Sequence, residues 1–427
     1  MEILFSLSIA LFAGLMLSRL AKLVKLPAVT AYLVAGILVG PFCLGAFKVE
    51  GLGFISKENL DSFSIISDVA LGFIAFSIGN EFRLSQLKKI GKQATVIGIF
   101  QAVVATLVVD VALISLHFIM PDKLPLEVAI VLGAVASATA PAATLMVVRQ
   151  YKSKGPVTDT LLPVVAIDDA VGLVLFSISF GIAKSASNLN VVTVLVEPLI
   201  EVVLSLGLGA FIGLIFTYFE RFFHSRSKRL SMSVAFVFVT VAISMLKDLH
   251  IGSVHIAFSP LLSCMMLGTI FCNICDFSEE LMDRLDRWTA PIYILFFVIS
   301  GAKLDLNVLT DVLIVLIGLV YIAFRCLGKY YGARLSATFV GADKNVKKYL
   351  GITLFPQAGV ALGMAIKAAN ELGAVGALVA DITLFSVLIY ELVGPFLTKV
   401  ALSKAGEVNP EGKISARITH TKDSAQN

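Results

Sequence analysis

LLPVVAIDDAVGLVLFSISFGI, residues 161–182, is apolar apart from two adjacent acids, Asp168 and Asp169. A helix of about 20 apolar residues matches the thickness of the hydrocarbon core of a bilayer. Carboxylates at that depth are costly, so they tend to face a water-filled cavity or a partner group and to mark an ion or proton pathway. Because neighbouring residues of a helix point about 100° apart, the two acids cannot share one face. We expect them to have different roles in one functional site; the alternative is that they only pair with a neighbouring helix for structure.

The composition of the whole chain indicates a polytopic membrane protein. Hydrophobic residues make up 58% of its 427 residues and charged residues 15%, whereas soluble globular domains carry about 25% charged residues. The mean hydropathy is +0.92. We therefore predict an all-α membrane protein of about thirteen transmembrane helices, each near the length that spans a bilayer. The predicted spans lie near residues 3–20, 27–45, 62–80, 94–119, 126–148, 158–183, 191–219, 231–247, 253–273, 288–305, 308–330, 346–369 and 374–400.

Lysine and arginine residues recur in alternate loops of this arrangement, which predicts its orientation. The basic loops lie near residues 83–92, 149–154, 221–229 and 344–348, and the loops between them hold few cations. Because positive loops stay in the cytoplasm, we predict that the N-terminus is outside and the C-terminus is cytoplasmic. The same loops, lying beside anionic lipid, account for the net charge of +4 without a nucleic-acid partner.

Four further features are interpreted as structural or connecting. The acidic stretch at residues 276–286 is predicted to be a loop, and residues 401–427 a short polar tail in the cytoplasm. Cys272 and Cys275 have C-x-x-C spacing, but no second pair or histidine cluster accompanies them, so no zinc site is expected. His255 lies in a predicted span, and we expect it to be a satisfied structural residue.

Two of the predicted spans contain helix-breaking residues. The fifth span includes SATAPAATLMVV, residues 137–148, with Pro141 in mid-helix. The twelfth span includes LFPQAGVALGMA, residues 354–365, with Pro356 in mid-helix. Proline removes a backbone hydrogen bond and clashes with the preceding turn, so we predict an interrupted helix in both spans. A simple kink relieved by neighbouring side chains is the alternative for either one.

The placement of the two interruptions indicates an inverted repeat. Between the fifth and the twelfth span the offset is odd, so the two helices run through the membrane in opposite directions. We predict a first repeat at residues 1–183, a linker helix at 191–219 and a second repeat at 231–400. Paired interruptions in corresponding positions mark the central site of a transporter, and the two acids occupy the span after the first interruption. Polar or flexible residues beside the breaks are further site candidates: Ser137, Thr139, Gln357 and Gly359.

A basic residue within the eleventh span is the remaining candidate. Arg325 lies in the run AFRCLGKYYGARL. Because arginine stays protonated at physiological pH, inside a membrane it should bind a carboxylate or the carbonyls of a broken helix. The alternative is that Arg325 reaches the cytoplasmic surface together with Lys329 and Arg334.

The order of several motifs resembles that of the monovalent cation:proton antiporters, in particular the branch with the Kef-type and Nap-type exchangers. The resemblance covers residues 1–400, nearly the whole chain. It implies a homodimer in which a six-helix core moves vertically, as an elevator, against a panel-like dimerisation domain. The motifs are LPAVTAYLVAGILVGP (26–41), LGFIAFSIGNEF (71–82), SATAPAAT (137–144), AIDDAVGL (166–173), FFVISGAKLDL (296–306) and PQAGVALG (356–363).

The same resemblance implies roles for the site residues. The second acid of the pair, Asp169, is expected to carry the cation and the proton in turn, and Thr139 to help to hold the ion. The first acid, Asp168, is expected to pair with Arg325, which precedes Gly328 by the spacing of the family's basic residue. Electrogenic relatives have a lysine there, so arginine beside an Asp-Asp pair leaves both electroneutral and electrogenic exchange open. If Arg325 pairs with Asp168, we expect one cation to exchange for one proton without net charge.

We therefore expect a secondary active antiporter of the cell inner or plasma membrane. It would exchange a monovalent cation, Na⁺ before Li⁺ or K⁺, for protons, because a carboxylate can bind either a proton or a hard cation. No cofactor and no enzymatic activity are expected. Two other functions remain open. One is a Kef-like potassium efflux protein, although residues 401–427 are too short to form the nucleotide-binding domain of those systems; the other is a sodium-coupled organic solute symporter of the same fold.

Overall fold

The computed structural model describes residues 2–23, 26–47, 53–54, 60, 62–80, 82–184, 197–223, 225–246, 249–251, 254–256, 258–275, 277–303 and 309–408. Within these residues the chain forms fifteen α-helices, one short 3₁₀ helix at Leu44–Phe47 and one pair of antiparallel strands. The helices are α1 (Glu2–Leu23), α2 (Ala28–Val39), α3 (Ser64–Asn80), α4 (Leu84–Ile119), α5 (Leu126–Val135), α6 (Pro141–Gln150), α7 (Pro156–Lys184), α8 (Glu197–Glu220), α9 (Arg226–Ser244), α10 (Pro260–Ile274), α11 (Ser278–Lys303), α12 (Val312–Phe339), α13 (Lys344–Thr353), α14 (Gly359–Glu371) and α15 (Gly373–Lys404). The strands are β1 (Leu249–Ile251) and β2 (Val254–Ile256).

Most of these helices suit a membrane. Eight of the described helices are long and apolar enough to cross one, namely α1, α2 with the 3₁₀ helix, α4, α7, α8, α9, α12 and α15. The shorter helices α3, α5, α10 and α14 are also apolar. Large apolar side chains such as Leu4, Val111 and Phe339 are more than half exposed on the outer surface, where lipid would cover them. The predicted helical membrane fold is thereby confirmed, and the number of about thirteen spans stays a prediction.

The helices pack as two bundles. The first bundle contains α1 to α3 and α8 to α11, and the second contains α4 to α7 and α12 to α15. Glycines allow close packing within each: Gly79 of α3 faces the carbonyl of Met265 in α10, and Gly328 of α12 faces the backbone of Ala105 in α4. The bundles meet mainly where α15 contacts α2, where α6 contacts α2 and α3, and where α7 contacts α8. The predicted division into two repeats joined by a linker helix stays a prediction.

Both predicted interruptions are present. The first lies between the end of α5 at Val135 and the start of α6 at Pro141. The second lies between the end of α13 at Thr353 and the start of α14 at Gly359. Proline has no N–H to donate, so it suits the first turn of a helix and not its interior, and Pro141 accordingly opens α6. The residues between the half-helices leave backbone groups without helical partners, and these groups build the candidate site.

The span predicted near residues 253–273 begins later than expected. Helix α10 starts at Pro260, and Ser259 caps its first turn through its side-chain oxygen. Serine before the helix and proline at its first position together define a helix start. His255 therefore lies outside the helix, in β2, where it is opposite His250 of β1. The interpretation of His255 as a residue of a membrane span was wrong.

The acidic stretch that was predicted as a loop is helical from Ser278 onward. It forms the first turns of α11, with Glu279 and Glu280 in the first turn. Acids stabilise the positive N-terminal end of a helix, and Arg284 Nη2 donates to Glu280 Oε1 at 3.1 Å. The loop prediction was wrong for this part. Parts of other predicted segments lie outside the described residues: residue 276 of the loop, residues 191–196 of the linker helix, residues 409–427 of the tail, and residues 247, 253, 257, 304–305 and 308 of predicted spans.

Candidate functional site

The two interrupted helices meet at their breaks. The Ala140 amide donates to the Pro356 carbonyl at 2.8 Å. Gln357 Nε2 donates to the Val135 carbonyl at 2.8 Å, and Tyr321 Oη donates to Gln357 Oε1 at 3.2 Å. These bonds satisfy backbone groups that the breaks expose. The predicted crossing of two interrupted helices is therefore present, and it holds Pro356 and Gln357 where they were expected.

Arg325, on α12, donates hydrogen bonds to backbone carbonyls of both breaks. Its Nε donates to the Ala136 carbonyl at 3.0 Å, its Nη2 to the Ala138 carbonyl at 2.6 Å and its Nη1 to the Phe355 carbonyl at 2.7 Å. The side chain is fully buried. A guanidinium group presents several N–H donors in a rigid fork, which suits carbonyls that converge from two helices. Of the alternatives from the sequence, binding to broken-helix carbonyls is confirmed, and placement at the surface was wrong.

The expected pairing of Arg325 with Asp168 is not present, and Lys329 takes this role instead. Lys329 Nζ lies 2.9 Å from Asp168 Oδ2, and both side chains are fully buried. Residues four positions apart lie on one helix face, so Lys329 is directed into the same site as Arg325, one turn away. Because the donors of Arg325 are used by three carbonyls, the lysine neutralises the acid. The sequence contained both cations, and their spacing was the signal that both point inward.

Asp168 is held by three side chains. Its Oδ2 accepts hydrogen bonds from Thr139 Oγ1 at 2.6 Å, from Gln101 Nε2 at 2.8 Å and from Lys329 Nζ at 2.9 Å. Three donors, one of them charged, stabilise an ionised carboxylate. Gln101 was missed in the sequence, although an amide in the middle of an apolar span was a usable signal.

Asp169 has a different environment from its neighbour. It is 1% exposed, and neither of its side-chain oxygens has a hydrogen-bond partner among the described residues. Asp168, Lys329 and the Thr139 backbone are near enough to act on its charge. The expectation that the two acids differ in role agrees with this geometry, because Asp168 accepts three hydrogen bonds at one oxygen, Oδ2, whereas no described side chain donates to either oxygen of Asp169.

The hydroxyl residues at the first break contact the Lys329–Asp168 pair rather than Asp169. Thr139 Oγ1 donates to Asp168 and accepts from Lys329 Nζ at 2.9 Å. The Ser137 carbonyl accepts another hydrogen bond from Lys329 Nζ, and Ser137 Oγ donates to the Ala134 carbonyl at 2.6 Å. In this conformation the Thr139 hydroxyl therefore does not face Asp169 as an ion ligand would, and it orients the ion pair beside it.

A cavity of about 2190 Å³ lies between the two bundles and approaches the acids. Leu162, Ala166 and Ala170 line it from one face of α7, and Tyr293 lines it from α11. The lining also includes the basic side chains Lys22, Arg83, Arg149 and Lys399. Asp168 and Asp169 do not line the cavity, although their sequence neighbours Ile167 and Ala170 do. In this conformation the acids are therefore closed off from the cavity.

Comparison with known proteins decides the family. The family model described as "Sodium/hydrogen exchanger, transmembrane" matches residues 7–404. The chain belongs to this family. Members of the sodium/hydrogen exchanger family are transporters, so the expectation that the chain is not an enzyme is confirmed.

Individual relatives and a solved structure agree with this family. The Na⁺/H⁺ antiporter NhaS4 of Synechocystis sp. is 23% identical over 82% of this chain and 84% of its own length. A Na⁺/H⁺ antiporter of Enterococcus hirae is 26% identical over 79% of this chain and 83% of its own. The structure of the sodium proton antiporter MjNhaP1 from Methanocaldococcus jannaschii superimposes with a TM-score of 0.67 over 95% of this chain and 97% of that one, at 19% identity. This likeness shows that the two proteins share a fold.

Proposed function

We propose that this protein exchanges a monovalent cation for protons across the cell membrane and that Asp169 is the carboxylate that binds them in turn. The single observation that carries the assignment is the contrast within the acid pair. Asp168 is neutralised by Lys329 at 2.9 Å, whereas both oxygens of Asp169 are without a hydrogen-bond partner among the described residues. No described side chain therefore occupies the oxygens of Asp169, which can bind a cation or a proton at the crossing of the interrupted helices.

Coupling follows from competition at this one carboxylate. The ionised group offers negative oxygens to a hard cation, and protonation removes the charge that holds it. A cation and a proton then exclude each other. Na⁺ is the first candidate because NhaS4 and the Enterococcus hirae protein are named as Na⁺/H⁺ antiporters. Li⁺ and K⁺ are the alternatives to test beside it.

The pairing of Lys329 with Asp168 changes the expected stoichiometry. The expectation of one cation for one proton depended on a contact between Arg325 and Asp168, which the structure does not contain. A buried lysine, unlike an arginine, can give up its proton. If cation binding at Asp169 releases the proton of Lys329 as well, more than one proton moves per cation, and the exchange carries net charge.

The two bundles support an elevator movement. The groups that hold Asp168, namely Gln101, Thr139 and Lys329, all belong to the second bundle. The site can therefore move as a unit relative to the first bundle, with the cavity between them providing access from one side. By the positive-inside rule that side is the cytoplasm, since Arg83 and Arg149, which line the cavity, belong to loops predicted to be cytoplasmic. The first bundle is proposed to form a homodimer interface in the lipid bilayer.

Transport by reconstituted protein tests this proposal. Proteoliposomes with an acidic interior are diluted into Na⁺, Li⁺, K⁺ or choline, and a trapped pH dye reports proton release. We expect release with at least one of the small cations and none after Asp169→Asn. Wild-type exchange in Asp169→Asn would overturn the assignment of the site, and cation flux without proton release would favour a potassium efflux protein instead.

A further inference from the structure

A second acid is buried where the two bundles meet. Glu391 lies in α15 and is 5% exposed. The carbonyl of the next residue, Leu392, accepts a hydrogen bond from Thr30 Oγ1 of α2 at 3.5 Å. Since α15 belongs to the second bundle and α2 to the first, Glu391 lies at the surface along which the bundles would slide.

Glu391 is also at the level of the crossing between the interrupted helices. One turn further along α15, Gly394 packs on the second break, and a Cβ there would lie 3.0 Å from Pro356 Cα. On the preceding residue, the ring of Tyr390 lies 4.5 Å from the guanidinium carbon of Arg325. Glu391 is therefore close to the second break and to Arg325, although it has no contact with the Asp168–Lys329 pair.

The Glu391 carboxyl group has no partner within the described part of the chain. No described residue forms a hydrogen bond or an ion pair with it, and no charged group there is close enough to act on its charge. A buried carboxylate without a partner is costly, and ionisable residues inside membranes are usually functional for this reason. The group must therefore bind a ligand or remain a neutral acid.

The surroundings of Glu391 fit a proton better than a metal cation. A hard cation needs several oxygen ligands. Val387 and Leu388, which share the helix face of Glu391, instead form an apolar cluster with Ile37 of α2 and Leu362 of α14. Such a surface supplies no further oxygens, whereas a proton needs only the carboxyl group itself.

The helices packed against α15 bring few charges near this position. Helix α2 carries none between Ala28 and Val39. On α12, the two fully buried cations are engaged elsewhere, as described above. None of the other charged or titratable residues on the packed helices acts on the charge of Glu391. These residues are Tyr32, Glu127, Arg149, Tyr321, Cys326, Tyr330, Tyr331, Arg334, Lys344, Lys347, Lys348, Tyr349, Lys367 and Glu371.

A polar residue lies between this position and the cavity along α15. Thr398 lies two turns further along the same helix, about 10 Å away at 1.5 Å per residue. It is fully buried, and its Oγ1 has no hydrogen-bond partner among the described residues. Beyond it, Lys399 and Ser403 line the cavity. Water that entered this boundary from the cavity would meet Thr398 first and Glu391 next.

We propose that Glu391 is a further proton-binding site, which holds a proton while the boundary between the bundles is dry and exchanges it with water from the cavity when the boundary opens. This goes beyond the proposed antiport at Asp169 and rests on it only for the movement of the bundles. A charge at a dry sliding surface would oppose that movement. Protonation of Glu391 therefore permits the movement, and its ionisation at alkaline pH slows it.

Infrared spectroscopy of the reconstituted full chain tests the proton site directly. Difference spectra between acidic and alkaline buffer report the C=O stretch of each carboxyl group that titrates. We expect one such band to be lost in Glu391→Gln and to return, shifted, in Glu391→Asp. Glu220→Gln is the matched control, because Glu220 is fully buried in the first bundle but lies 3.9 Å from Arg229; this variant should keep the Glu391 band. A spectrum of Glu391→Gln with every titrating band in place would overturn the proposal.

The pH profile of exchange tests the consequence for transport. In the wild type and in Glu391→Asp, the exchange rate should fall toward alkaline pH. In Glu391→Gln, which permanently mimics the neutral acid, the rate should not show this fall. Superimposable profiles for the wild type and Glu391→Gln would overturn the role in transport. The proposed function fails separately, through absent exchange in the wild type or undiminished exchange in Asp169→Asn, so the two failures can be told apart.

Discussion

Lys329 Nζ lies 2.9 Å from Asp168 Oδ2 in an ion pair from which solvent is fully excluded. The pair connects α12 with α7, and hydrogen bonds to Thr139 and to the Ser137 carbonyl link it to the first break. This ion pair thus connects α7, which carries both acids, with α12, which carries both buried cations, and with the first break. Its removal should affect stability and transport in different ways.

The first prediction concerns the stability of this pair. Lys329→Gln leaves Asp168 buried without its cation, and removal of one partner of a buried ion pair costs about 3–5 kcal/mol. We expect a clear fall in the thermal unfolding temperature of the purified protein. The double variant Lys329→Gln with Asp168→Asn should regain much of the loss, because no unpaired charge is left. Equal instability of the single and double variants would contradict a direct pairing.

The second prediction concerns charge movement. If Lys329 releases a proton when a cation binds, the wild type should give sustained cation-driven current on a solid-supported membrane. Lys329→Arg keeps the positive charge but cannot release the proton, so this variant should exchange without sustained current. A wild type that shows only a transient binding signal would instead indicate one-for-one exchange.

The third prediction concerns Arg325. Its three hydrogen bonds to carbonyls of both breaks are charge-assisted, and each such bond contributes about 1.5–3 kcal/mol. Arg325→Ala should lower the unfolding temperature and abolish exchange, because both breaks lose their common donor. Arg325→Lys should preserve more of both, although a single ammonium group cannot reproduce the planar fork. Identical behaviour of the two variants would show that the fork is not required.

The fourth prediction concerns contacts between the bundles. Arg149 Nη1 at the end of α6 lies 2.5 Å from Asp286 Oδ1 of α11, and both side chains are partly exposed. Movement of one bundle along the other would break this pair. Because exposed pairs contribute only about 0–1 kcal/mol, Asp286→Asn should leave stability nearly unchanged but favour the opposite orientation of the site.

Labelling of a single cysteine at Ala166, which lines the cavity, measures this orientation. We expect slower labelling by a membrane-impermeant thiol reagent in Asp286→Asn, in a background without the native cysteines. The charge-swapped variant Arg149→Asp with Asp286→Arg should restore the labelling rate. An unchanged rate in Asp286→Asn would mean that the pair does not hold the described orientation.

The fifth prediction concerns the end of the described chain. Glu407 accepts hydrogen bonds from the Val157 and Thr158 amides and from Thr158 Oγ1, each at 2.8 Å. It thereby caps α7, the helix of Asp168 and Asp169. Loss of a helix cap costs about 0.5–2 kcal/mol, so Glu407→Ala should lower the unfolding temperature. Lys404→Ala, at an exposed site nearby, is the control and should not.

The sequence by itself determined the class of fold and the position of the candidate site along the chain. Runs of about 20 apolar residues have no stable place except a membrane or a protein core, and proline is unfavourable in a helix interior, although Pro163, Pro291 and Pro395 lie inside continuous helices of this structure. Both are local constraints, which is why Pro141, Pro356 and the acid pair could be located without any structure. Local signals also misled, since the residues before Pro260 and after Ser278 did not form the span and the loop that their composition favoured.

Only the tertiary structure decided which charged groups meet. Arg325 and Lys329 both point into the site, and either could have neutralised Asp168 on charge alone. The choice depends on the convergence of the Ala136, Ala138 and Phe355 carbonyls, which come from helices far apart in the chain and occupy the guanidinium group. Because such partners are set by packing rather than by spacing, the sequence predicted the members of the site but not the pairs among them.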